Sequence, residues 1–155
     1  MQSTGVGKSS IGNILLGKRC FGESRGTDSC TDDTTAATGV WCTNGTPCIV
    51  IDTPGMDDSD NRDTEHIENI IEKLKEGTYV NTFVLVRNGQ NKRMSNSFKS
   101  MLTIFELMFG REFWSHVVID VSHVEYGTES DQDIRDWKRT IKKNFPKAKD
   151  AECRV

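Results

Sequence analysis

Apolar residues recur along this chain at two spacings, and the spacing assigns the elements. Ile11, Ile14 and Leu15 fall at i, i+3, i+4 and predict a helix over residues 9–16, stopped by Gly17. Ile67, Ile70, Ile71 and Leu74 place a second stripe on a helix over 63–76, with Gly77 after it. Phe98, Met101, Leu102, Phe105, Met108 and Phe109 do the same over 94–109, and Gly110 follows. Ile134, Trp137, Ile141 and Phe145 align on a last helix over 131–145, ended by Pro146. Between them lie short apolar runs of strand length: 38–43, 46–53, 80–86 and 116–122.

The first two runs are separated by Asn44-Gly45, whose tolerance of positive φ predicts a hairpin turn. Cys48-Ile49-Val50-Ile51 is apolar throughout, which predicts a strand covered on both faces. Residues 20–37 form a long stretch rich in Gly, Ser, Thr and Asp, and a loop of that length in a compact domain points to function or to disorder. Strands alternating with helices predict an α/β domain: a mainly parallel sheet with helices on both faces.

Two short segments carry the chemistry. Gln2-Ser3-Thr4-Gly5-Val6-Gly7-Lys8-Ser9 matches G-x-x-x-x-G-K-[ST] except at its first position, which holds Gln2. Gly5 and Gly7 let the backbone of Thr4, Gly5, Val6 and Gly7 turn its N–H groups towards phosphate oxygens, and Ser10 carries the run into the helix. Lys8 reaches β- and γ-phosphates, and the Ser9 hydroxyl is a Mg²⁺ ligand. The second segment, Asp52-Thr53-Pro54-Gly55, ends a buried strand. There a carboxylate holds Mg²⁺ opposite Ser9, and Gly55 brings a backbone N–H close to a γ-phosphate. Read singly, either segment is also a plain turn; their order and separation make them a nucleoside-triphosphate switch. The loop between them then needs a threonine for Mg²⁺ and γ-phosphate. Thr31 leads, with Thr27, Thr34 and Thr35 as competitors.

Composition narrows the partners. The chain has 155 residues, enough for one domain, with a net charge of -3. That charge argues against nucleic acid as a partner. Five cysteines without a C-x-x-C pair predict neither a disulfide framework nor a zinc site, and fit a reducing, cytoplasmic setting. No apolar run reaches the ~20 residues of a membrane helix, and no leader peptide is visible. The cationic residues Lys138, Arg139, Lys142, Lys143, Lys147 and Lys149 read as the solvated side of the last helix, with contact to an anionic membrane as a minority reading.

The phosphate loop, Asp52-Thr53-Pro54-Gly55, and the stretch from Phe83-Val84-Leu85-Val86-Arg87-Asn88-Gly89 through Met101-Leu102-Thr103-Ile104-Phe105 to Phe109-Gly110 resemble the immunity-associated (GIMAP-type, also called AIG-type) G domains, over the chain to about Gly127. The resemblance implies a Rossmann-like P-loop G domain that binds GTP or GDP with Mg²⁺. It also implies slow intrinsic hydrolysis, and dimers or oligomers formed through the nucleotide face. It places base recognition at Ser122-His123-Val124-Glu125: Glu125 would accept from the guanine N1–H and N2–H groups, His123 would contact the base, and Val124 stands where the family has lysine. No residue is assigned as catalytic. Met56 occupies the place where Ras-like proteins carry a water-positioning glutamine, which fits slow turnover.

Against the family order, no residues precede the loop to build the strand it hangs from, so that first strand is expected to be missing by truncation. The last strand, after Phe145, is expected to be missing too. The resulting organisation is an incomplete G domain over 1–145 and a tail over 146–155, with open sheet edges that favour aggregation. The expected function is a GTP-binding switch with weak hydrolase activity and possible peripheral association with intracellular membranes. Two alternatives remain open: an interaction module that does not hydrolyse nucleotide, and an ATPase.

Overall fold

A computed structural model describes residues 6–22, 34–41, 44–55, 63–76, 79–90, 94–123, 128–148 and 152–154. The chain divides into two compact units, Met1–Thr78 and Tyr79–Val155.

The first unit holds α1 (Lys8–Leu16), β1 (Thr35–Val40), β2 (Pro47–Asp52) and α2 (Asp63–Glu76). α1 stops where expected, with Gly17 in the left-handed region (φ 61°) and its N–H donating to Asn13 and Ile14 carbonyls. Its buried side differs from the apolar count, however. Gly12, Asn13 and Leu16 face inward, whereas Ile14 is 67% exposed. The cause is close packing: a Cβ on Gly12 would lie 2.8 Å from the Phe21 ring.

β1 and β2 pair antiparallel from Thr35↔Asp52 to Val40↔Pro47. β1 therefore begins three residues ahead of its expected start, because Thr35, Ala36 and Ala37 extend the ladder without bulky side chains to announce it. The link is also longer than a two-residue turn. Trp41 N–H donates to Thr46 O at 2.7 Å and Gly45 N–H to Trp41 O at 2.8 Å. Gly45 is in the left-handed region at φ 72° as expected, but Asn44 is not, and residues 42–43 lie outside the described residues. α1 covers one face of this hairpin, Leu16 lying against Gly39. The expectation that β2 is covered on both faces is corrected, since Ile49 is 67% exposed.

The second unit holds β3 (Phe83–Asn88), α3 (Asn96–Phe109), a 3-10 segment (Gly110–His116), β4 (Val117–Ser122), α4 (Thr128–Asn144) and β5 (Glu152–Arg154). The strands form a parallel sheet in the order β3-β4-β5. β5 corrects the expectation that no strand comes after α4: part of the stretch read as a tail pairs with β4, from Val118↔Glu152 to Asp120↔Arg154. Three residues without apolar alternation left no periodic signal.

Ser95 caps α3, its Oγ accepting from Phe98 N–H at 3.1 Å. α3 then packs Phe105 and Phe109 around Phe83, with ring centroids 5.8 and 4.9 Å away. Phe113 and Trp114, each 1% exposed, close the cluster beside Phe145. Leu102 is fully buried, but Met108 is 42% exposed and does not join the expected stripe. α4 lays Trp137 under the Arg87 guanidinium, 3.7 Å from the ring centre. Both helices thus cover the face that carries Phe83, Leu85 and Arg87.

Asp120, on the other face, pairs through its backbone with Val86 and Arg154 and so lies on the central strand and not at a sheet margin, and its carboxyl makes no hydrogen bond among the described residues. It sits half-buried on the central strand, and burial pushes its carboxyl above the ordinary value.

Candidate functional site

The chemistry-bearing residues of the first unit gather where α1 begins and β2 ends. Thr4 and Gly5 lie outside the described residues. Val6 is 6% exposed, and Gly7 turns the chain into α1 at φ 92°, a conformation that suits a residue without Cβ. The helix starts with no side-chain cap and no acidic residue in its first turn. The start of the helix thus keeps the positive end of its dipole without a neighbouring carboxylate in the first turn, a field that favours an anion.

Lys8 and Ser9 stand in that first turn, and Ser10 comes next. The Ser9 hydroxyl donates to Asp52 Oδ2 at 2.6 Å, joining the start of α1 to the end of β2. Asp52 is 5% exposed. Burial pulls the Lys8 ammonium below the ordinary lysine value, and the nearby Asp52 carboxylate opposes this. The geometry thus holds a desolvated cation beside an uncapped helix start. Its cost is relieved by an anion carrying several oxygens.

The segment after β2 continues the site. Pro54 is fully buried, and Thr53 and Gly55 are half-buried. Met56 lies outside the described residues, as does Thr31. Thr34, a competitor of Thr31, immediately precedes the Thr35↔Asp52 pair. Its Oγ1 is buried and has no hydrogen-bond partner among the described residues. A buried hydroxyl without a partner is costly, so Thr34 offers an oxygen at the same end of β2 as Asp52.

These oxygens fit a hard cation. Mg²⁺ takes oxygen ligands and retains water, and the Ser9 hydroxyl and Asp52 carboxylate supply one of each protein type it accepts.

One organising residue carried no sequence signal beyond its polarity inside a helix. Asn13, 8% exposed, accepts from Cys20 and Phe21 N–H at 2.7 and 2.8 Å and donates to Phe21 O at 3.0 Å. Its amide folds the chain leaving α1 back against the helix.

The base-recognition candidates belong to the second unit. Ser122 Oγ donates to Arg87 O at 3.1 Å, and Gly89 N–H donates to Ser122 O at 2.8 Å. The Ser122 hydroxyl thus ties the ends of β3 and β4 together. His123 is next, in the left-handed region at φ 56°, exposed, with Nδ1 3.0 Å from Ser122 Oγ. Val124 and Glu125 lie outside the described residues.

Solved structures share this fold, among them these three. A dimerization-deficient mutant of Toc33 from Arabidopsis thaliana superposes with a TM-score of 0.72 at 20% identity, covering 93% of this chain and 60% of that one. Toc33 from Arabidopsis thaliana in complex with Mg²⁺ and GMPPNP gives 0.72 at 20% identity, covering 97% and 65%. A structure described as showing that dimerization is important for the GTPase activity of the chloroplast translocon components atToc33 and psToc159 gives 0.72 at 19%, covering 97% and 65%. The chain spans less than two thirds of the length of each. No curated protein matches it in sequence. The fold is the α/β P-loop fold of the Toc33 G domain, with two hydrogen-bonded sheets among the described residues. The model of the AIG1 family matches residues 1–147, and the chain belongs to that family.

Proposed function

We propose that this chain binds GTP with Mg²⁺ and acts as a nucleotide-dependent switch with slow hydrolysis. The observation that carries the reading is the Lys8, Ser9 and Asp52 constellation at the uncapped start of α1. Lys8 and the leading amides of α1 hold the triphosphate. Ser9 and Asp52 hold Mg²⁺, which supplies charge neutralisation on the phosphates when bound. Thr31 or Thr34 supplies the hydroxyl that reads the γ-phosphate, and Thr34 is favoured by its buried, unpartnered Oγ1. Gly55 offers a backbone N–H to the same group. Ser122, His123 and Glu125 recognise the base. The Toc33 complex with Mg²⁺ and GMPPNP supports the ligand class.

Dimerization through the nucleotide face regulates turnover in this reading, supported by the work on atToc33 and psToc159. The setting is cytoplasmic. The test is binding of labelled GTP by the chain and by Lys8→Ala. The reading expects loss of binding in the variant, and retained binding counts against the site.

A second reading is an interaction module that binds nucleotide without hydrolysing it. Met56 favours it, because a thioether has no group to position an attacking water. Phosphate release at rising protein concentration separates the two: release that climbs with concentration supports the switch, and none at any concentration supports the module.

A further inference from the structure

We propose that the exposed cationic face of α4 docks against the exposed acidic face of α2 on a second copy of this chain. The inference stands apart from nucleotide binding.

α4 turns Trp137 and Ile141 inward, at 4% and 2% exposure. Arg135, Lys138, Arg139, Lys142 and Lys143 are all exposed, at the i, i+3, i+4, i+7, i+8 spacing of one helix face. Between residues 134 and 148 only Asp136 carries opposite charge, and it is engaged with Arg139 at 3.2 Å. Arg135 donates to Gln132. Asp131 lies at the N-terminal end of the face. The chain as a whole is nevertheless at -3, so the residues outside this face carry a net negative charge.

α2 supplies the complement. It turns Ile70 inward, at 4% exposure, and leaves Glu65, Glu68 and Glu72 exposed at i, i+3, i+7. Lys75 flanks this stripe. The two charged faces have the same length, two helical turns or ~10 Å. Each copy carries both faces, so any two copies present opposite charge to one another. Charge complementarity within one sequence favours a second copy over an anionic lipid surface, which would repel the acidic remainder of the chain. Exposed pairs are individually weak, so the association is modest and sensitive to salt.

The test measures the mass of the full chain without nucleotide by sedimentation equilibrium, at about 50 mM and about 500 mM salt. The expected result is mass rising with concentration at low salt and association weakening by roughly tenfold or more at high salt. Lys138→Glu/Lys142→Glu and Glu68→Lys/Glu72→Lys should each stay monomeric alone. Mixed together they should associate, because each variant's α4 then meets an α2 of opposite charge on the other variant. This trans-rescue also shows that each variant has folded.

A wild-type chain that stays monomeric at low salt overturns the proposal. So does a mixture that stays monomeric, or an association that charge reversal leaves unchanged. Salt-dependent melting with no dependence on concentration, or binding confined to phosphatidylserine vesicles, also overturns it. A chain that fails to bind GTP but passes these tests leaves the proposal standing.

Discussion

The Ser9 hydroxyl donates to Asp52 Oδ2 at 2.6 Å across 43 residues of sequence, and this contact fixes the first turn of α1 against the end of β2. It joins the two segments that share one chemistry, and Asp52 is buried where it does so.

Replacing Ser9 by Ala should therefore act through magnesium. Affinity for GTP with Mg²⁺ should fall by on the order of tenfold, the scale of losing a supporting ligand. Affinity measured in chelator should change little. Calorimetric titration with and without Mg²⁺ checks the difference, and equal losses in both would assign Ser9 a purely structural role.

Lys8→Met should separate stability from binding. The variant removes a desolvated ammonium while keeping most of the side-chain volume, so the free protein should melt at the same temperature or higher. The upward shift in Tm produced by GTP should disappear. The sign of proton linkage comes from burial. The free protein's Lys8 value lies below the ordinary one, and bound phosphate raises it. Binding should then take up protons increasingly as the pH becomes alkaline, and titrations in buffers of different ionisation enthalpy read this directly.

Asn13→Ala should cost about 1–3 kcal/mol in denaturant unfolding. The N–H groups of Cys20 and the buried Phe21 lose their acceptor, at 2.7 and 2.8 Å in the native protein. An exposed change on α1 such as Ile14→Gln should cost far less, since Ile14 is 67% exposed.

Glu106 links α3 to the 3-10 segment and to the chain beyond α4. Trp114 Nε1–H donates to its Oε2 at 3.0 Å, and Lys147 pairs with Oε1. Lys147 first, then the Trp114 hydrogen bond, hold its carboxyl below the usual range. A lowered native value means the stabilisation is complete above the unfolded value of ~4.3 and is lost as the pH falls through the native one. Glu106→Gln should thus destabilise the protein by roughly 1 kcal/mol near neutral pH, a small figure because Lys147 is 60% exposed. The gap from wild type should narrow on acidification. A gap that widens instead would contradict the pairing.

How legible each part was in the sequence depends on how its signal is generated. α2 was readable to its ends, because Ile67, Ile70, Ile71 and Leu74 repeat at the helical period through it. That the Ser9 and Asp52 segments meet was readable, because the chemistry expected of them fixes both residue type and order. Ile14 and Met108 fit the apolar count yet lie outside, since periodicity marks a stripe but not which edge of it packs. Asn13 escaped notice because a buried amide and a solvated one look alike until the backbone groups it meets are known. β5 and the start of β1 were lost for want of bulky alternation, although their ladders are unambiguous once the partner strand is in place. Thr34 was one hydroxyl among four, and the burial of its Oγ1 is visible only in the structure, while Thr27 and Thr31 lie outside the described residues.

The central claim is tested most directly by fluorescence titration of the chain with labelled GTP and Mg²⁺, then displacement with unlabelled GTP and ATP. The account predicts saturable binding that GTP displaces, that ATP displaces poorly and that Lys8→Ala abolishes. Failure of the chain to take up any purine triphosphate with Mg²⁺, even at millimolar concentration, would contradict it.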